Sequence, residues 1–134
     1  MATEQVCVDW IGDEAFLGRD HRGFPVVMGR PVGVSAAAML PLSLAGCTVW
    51  DVVSILRKQR QEISTVQVIA ESDREDEAPW RFRRIRLCYR ITGRNIDPKR
   101  VRRAIELSEE KYCAVYATLR DAVEIESDFE IIEG

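Results

Sequence analysis

The chain is poor in the residues that build metal centres. Histidine occurs once, as His21, and the four cysteines form no C-x-x-C pair. Zinc sites need closely spaced nitrogen and sulfur ligands, so no metal is expected. A long uninterrupted apolar run is missing too. The longest, roughly Val32 to Leu44, contains Gly33, Ser35, Pro41 and Ser43, and reads as too short and too broken for a bilayer span. The first residues, Met1-Ala2-Thr3-Glu4-Gln5, show no basic patch leading into an apolar stretch, so no secretory signal is read there. Together these absences predict a cytoplasmic protein without a membrane partner, whose cysteines stay reduced unless their own chemistry oxidises them.

What is present fits one globular domain over residues 1–134. The chain is 134 residues long and 46% hydrophobic, enough for a single core. Its net charge of −3 hides an uneven distribution. From Arg81 to Arg103 ten basic residues face the single acid Asp97, while acids crowd Glu71 to Glu77 and Asp121 to Glu133. The basic stretch alone invites a nucleic-acid reading. The acidic segments around it argue against one, and no nucleic-acid partner is expected.

Periodicity predicts an α+β fold. Gln5–Ile11, Ala15–Gly18 and Phe24–Met28 read as strands of an N-terminal antiparallel meander, with a turn at His21-Arg22-Gly23. Pro25 places the third at an edge or at its own start. Ser35 is a good N-cap for a long central helix from Ala36 to Gln61, kinked at Pro41 and interrupted at Gly46. Thr65–Ala70 and Phe82–Thr92 are two more strands around an acidic loop, Ser72 to Pro79. In the second of these, Ile85, Leu87, Tyr89 and Ile91 alternate with Arg84, Arg86, Cys88 and Arg90. Asp97-Pro98 starts another helix, in which Val101, Ile105, Ser108, Tyr112, Val115 and Leu119 form one buried stripe. Asp121–Glu133 closes the chain as a strand with carboxylates on one face. Arginines on one strand and carboxylates on another predict neighbours in one antiparallel sheet.

Two cysteines stand apart from the other two. Cys7 and Cys88 fall in strand-like runs and read as small apolar fillers. Cys47 and Cys113 both sit in helical contexts, Cys113 inside or at the head of its helix. A helix N-terminus or a nearby cation makes a thiol reactive by favouring its thiolate. Asp51, one turn after Cys47, reads as a solvated or capping residue. Trp50, Trp80, Tyr112 and Tyr116 read as core aromatics, with Trp50 and Tyr116 also able to line an apolar pocket.

Two segments carry a resemblance to the OsmC/Ohr family of thiol peroxidases: Gly46-Cys47-Thr48-Val49-Trp50-Asp51-Val52-Val53-Ser54-Ile55-Leu56-Arg57-Lys58 and Ala104-Ile105-Glu106-Leu107-Ser108-Glu109-Glu110-Lys111-Tyr112-Cys113. Gly93-Arg94-Asn95-Ile96-Asp97-Pro98 and Glu130-Ile131-Ile132 are similar to the family as well. The resemblance spans nearly the whole chain and is weakest before residue 30. It implies an OsmC-like α+β domain forming an intertwined homodimer, and reduction of organic hydroperoxides without a cofactor. Cys47 would be the peroxidatic thiolate, Cys113 the resolving thiol, and an external dithiol the reductant. An alternative is a non-catalytic dimer that binds an apolar or acyl molecule at its interface. Four positions depart from the family pattern, one of them Pro41, where an aliphatic residue is expected. Ala37 and Ala38 stand where peroxidases often have a glutamate, and Ala114 where the Ohr branch has proline. The activating arginine that the family takes from its N-terminal strands is left open between Arg19 and Arg22.

Overall fold

Alternating apolar residues broken by glycine and aspartate open the chain, and they form a three-stranded antiparallel sheet. The computed structural model describes residues 1–134 as two units, Met1–Leu40 and Pro41–Gly134. In the first, β1 (Cys7–Gly12), β2 (Ala15–Arg19) and β3 (Pro25–Gly29) pair in that order. Gly12 and Asp13 both adopt positive φ, which lets the β1–β2 turn follow the strand twist. The next turn is tied by Asp20, whose Oδ1 accepts the backbone N–H groups of Arg22 and Phe24 at 2.8 and 2.9 Å. The Phe24 bond is the main reason its carboxyl lies below the usual range. The meander and the placement of Pro25 are as expected. Burial is not: Gly18 is the one buried residue in this unit, and Val6, Val8, Trp10 and Phe24 are exposed.

The central helix, α1 (Met39–Lys58), begins three residues later than Ser35 predicts. Ser35 still caps locally, its Oγ accepting the Ala38 N–H at 3.4 Å. Pro41 therefore falls in the first turn, where the backbone N–H has no helical partner to lose, and the expected kink gives way to a continuous helix through Gly46. By length and composition alone α1, a different stretch from the Val32–Leu44 run, could cross a membrane. The central helix of a water-soluble fold passes the same test. Leu44, Thr48, Val52 and Leu56 recur every fourth residue and are wholly buried, the stripe of a core helix. Arg57 and Lys58 end it, where cations suit the partial negative charge of the terminus.

The second sheet has the order β4-β5-β6, with β4 (Glu62–Arg74), β5 (Phe82–Arg94) and β6 (Glu124–Glu133). The alternation in β5 holds fully. Ile85, Leu87, Tyr89 and Ile91 are buried, and the arginines face out. The strand β4 is longer than expected because Glu71 and Asp73 pair with Arg86 and Arg84 in the ladder. Part of the acidic segment is thus strand, not loop. Arg86 binds Asp73 at 2.6 Å, which holds the Asp73 carboxyl below its usual range. On the other side Arg84 meets Glu124 at 3.2 Å and Arg90 meets Glu130 at 2.6 Å. The charge match between strands is thus realised, but β6 runs parallel to β5, not antiparallel as the sequence reading expects. Parallel neighbours need a long crossover, and the helices between Pro98 and Leu119 supply it.

That crossover starts as predicted. Asp97 caps α2 (Pro98–Leu107), its Oδ1 accepting the Lys99 N–H at 2.9 Å, and Val101, Ala104 and Ile105 are buried. The stripe then breaks. Ser108–Tyr112 winds as a π-helical turn, Cys113 is extended at φ −88 and ψ 107, and a short α3 (Ala114–Leu119) follows. Tyr112 is exposed as a result. Isolated π turns occur frequently at functional sites.

Candidate functional site

The π turn places Cys113 and α1 places Cys47. In α1, Cys47 is half-buried, and its neighbour Thr48 is fully buried with its hydroxyl donating to the Ala45 carbonyl at 3.2 Å. Cys113 ends the turn, its N–H donating to the Ser108 carbonyl at 2.9 Å. It then serves as the N-cap of α3. Its sulfur accepts the Tyr116 N–H at 3.3 Å, the task a serine or aspartate usually performs.

The structure brings these two thiols together. Both are free, and Cys47 lies near enough to Cys113 to influence its titration. Cys113 is 3% exposed. Burial, and then the neighbouring Cys47, push its thiol up to about 12, while the Tyr116 and Val115 N–H groups pull the other way.

A polar cluster surrounds the sulfurs. Asp51 is half-buried, not solvated, and its Oδ2 accepts a 2.8 Å hydrogen bond from Ser108 Oγ. Tyr89, fully buried on β5, has a hydroxyl without a partner. Burial raises its phenol well above the ordinary range. The neighbouring acidic groups Glu109, Cys113 and Asp51 add to this and Thr48 opposes it. Tyr116 is raised by burial and by the negative charge of Glu109. Periodicity alone gives Thr48, Tyr89 and Glu109 no site role and treats Ser108 as one apolar position among several. A serine in an apolar register is the available signal.

The other expected site residues have local partners or differ from expectation. Arg19 and Arg22 both stand at the β2–β3 turn of the first unit. Arg19 donates to the Gly23 carbonyl at 3.2 Å, and Arg22 pairs with Asp20 at 3.8 Å and stacks over Phe24. The leading influences on Cys113 are burial, Cys47 and backbone N–H groups, with no cation among them. Ala37 and Ala38 precede α1 and bring no carboxylate. Trp50, Tyr112 and Trp80 are exposed where core positions were expected, Trp50 at 78%. Trp50 and Tyr112 border a groove of about 500 Å³ that Asp51, Lys58, Gln59 and Leu107 also line. Cys7 is exposed and Cys88 half-buried, so neither fills a core.

Comparison with known proteins finds relatives over nearly the whole length. The family described as "OsmC-like protein" matches residues 29–128. Protein YhfA of Escherichia coli K12 is 37% identical over 131 residues, 96% of this chain and 98% of its own. A crystal structure of a hypothetical protein from Aquifex aeolicus superimposes with a TM-score of 0.89 at 25% identity, covering 100% of this chain and 99% of the other. The organic hydroperoxide resistance protein OhrB of Bacillus subtilis has the same fold at a TM-score of 0.62 and 14% identity, over 96% and 98% of the two chains.

Proposed function

The chain belongs to the OsmC-like family, and from that premise we propose that it reduces organic hydroperoxides by a dithiol–disulfide cycle. The observation that carries the reading is the contact between Cys47 and Cys113. Cys47 attacks the distal peroxide oxygen, the alcohol leaves, and the sulfur becomes a sulfenic acid. Cys113 then attacks that sulfur, and a disulfide and water form. An external dithiol restores both thiols by exchange. The burial of the two sulfurs supports this division of roles, since Cys47 is the more accessible and Cys113 the enclosed one. The hydroperoxide resistance named for the Bacillus protein is consistent with the same chemistry.

The proposal includes a homodimer in the cytoplasm. A three-stranded sheet with one buried glycine and exposed Val6, Val8, Trp10 and Phe24 leaves apolar surface of the kind that a partner normally covers. The apolar face of α1 that holds Leu42 and Trp50 is the second such surface. A second copy also offers the place for an arginine beside the thiols.

One feature favours a different reading, a dimer that binds an apolar or acyl molecule. Ala37 and Ala38 carry no carboxylate, and no cation is among the leading influences on Cys113. Consumption of cumene hydroperoxide by the purified protein with a dithiol decides between the two. The peroxidase reading requires turnover that Cys47→Ser abolishes. If Cys47→Ser retains full consumption, or the unaltered protein shows none, the peroxidase reading fails.

A further inference from the structure

Two contacts join the segments that carry the thiols, and only one of them is made by sulfur. Cys47 and Asp51 stand one turn apart on α1, so they share a face. Ser108 and Cys113 stand at the two ends of the π turn. The thiol contact is therefore accompanied, one turn along, by the 2.8 Å bond between Asp51 and Ser108.

Ser108 has no polar group to spare. It is fully buried. Its N–H donates to the Ala104 and Ile105 carbonyls of α2. Its carbonyl accepts the N–H of Cys113 at 2.9 Å, and its hydroxyl reaches the carboxylate on the helix that carries Cys47. One residue thus fixes the backbone of one cysteine to the helix of the other. A hydroxyl donating to a carboxylate is among the stronger hydrogen bonds.

We propose that Asp51 and Ser108 are a positioning pair that sets how readily Cys47 and Cys113 close to a disulfide. Disulfide geometry is narrow, with Cβ atoms about 3.5–4.5 Å apart. Cys113 is a buried, protonated thiol and a weak nucleophile, so closure depends on placement more than on thiolate supply. This deepens the dithiol reading above, yet its test needs no peroxide. In exchange with oxidised dithiothreitol, the two protein thiols lose two protons and two electrons to the reagent, one S–S bond forms in the protein, and the reagent's S–S bond is reduced.

The full-length protein is equilibrated with mixtures of reduced and oxidised dithiothreitol, quenched in acid and alkylated. The Cys47–Cys113 disulfide is then quantified by peptide mass. Asp51→Ala and Ser108→Ala are each expected to lower the equilibrium constant for closure at least tenfold, about 30 mV. Asp51→Asn, whose amide oxygen still accepts from Ser108, is expected to stay within about threefold of the unaltered protein. Because the pair acts as one unit, the double alanine variant should close no worse than either single one. Wild-type closure in Asp51→Ala, a loss in Asp51→Asn as deep as in Asp51→Ala, or additive losses in the double variant each overturn the proposal. If Ser108→Ala does not fold, the two Asp51 variants decide, since both leave the buried serine in place. No hydroperoxide enters this measurement, so a protein that fails to turn over peroxide still reveals whether the pair governs closure.

Discussion

The backbone N–H of Tyr116 points at the sulfur of Cys113 from 3.3 Å. A contact of this kind favours a thiolate, but here it is outweighed. Burial and the neighbouring Cys47 dominate, and the thiol keeps its proton up to about 12.

A pH window follows. The ordinary value is 9.0 and the folded value is higher, so above pH 9 the unfolded chain releases a proton that the folded chain retains. Stability from this group is complete below pH 9 and is lost as pH climbs toward 12. Denaturant melts between pH 8 and 11 should show a decline that is shallower in Cys113→Ser. Equal slopes in the two proteins contradict the assignment. Tyr89 titrates upward for similar reasons, and Tyr89→Phe in the same background removes its share.

Tyr89→Phe has a second consequence. Its buried hydroxyl has no bonding partner, and such a group costs free energy that its removal returns. The variant should match or exceed the unaltered protein in stability, by up to about 1–2 kcal/mol, read from urea midpoints. A loss greater than about 1 kcal/mol would mean that the hydroxyl is bonded after all.

Leu56 is wholly enclosed on α1, while Trp50 on the same helix is 78% exposed. Leu56→Ala should cost about 2–5 kcal/mol. At protein concentrations low enough to populate monomer, Trp50→Ala should cost less than about 1 kcal/mol. Reversal of that order would misplace the core face of the helix.

The exposed face of β1 makes a prediction about assembly. Val8 is 59% exposed, and a charge there costs little in an isolated chain but much in a covered sheet. Val8→Glu should convert a dimer into a smaller species in sedimentation velocity. An unaltered sedimentation coefficient would remove this strand from the interface.

The residues differ in how openly they announce their place. Ile85, Leu87, Tyr89 and Ile91 alternate so regularly that their burial can be read directly, and Asp97-Pro98 marks its helix start to the residue. The thiol pair is legible because Gly46-Cys47-Thr48 and Tyr112-Cys113 lie in segments with a family pattern. The π turn is not. Val101, Ile105, Ser108 and Tyr112 keep ordinary helical spacing, so periodicity runs smoothly across a place where the chain changes its winding. Strand direction is hidden for a related reason, since alternation and charge matching look the same whether β6 runs up or down. Asp51 passes for a solvated residue because its partner is 57 positions away, beyond any local pattern.

An α-helix advances about 100° with each residue. The loop from Ser108 to Cys113 closes over five residues where an α turn closes over four. One surplus residue therefore decides which way the second sulfur looks. Shortening that stretch by a single amino acid would return it to ordinary α-helical winding and remove the feature on which the second sulfur's placement rests.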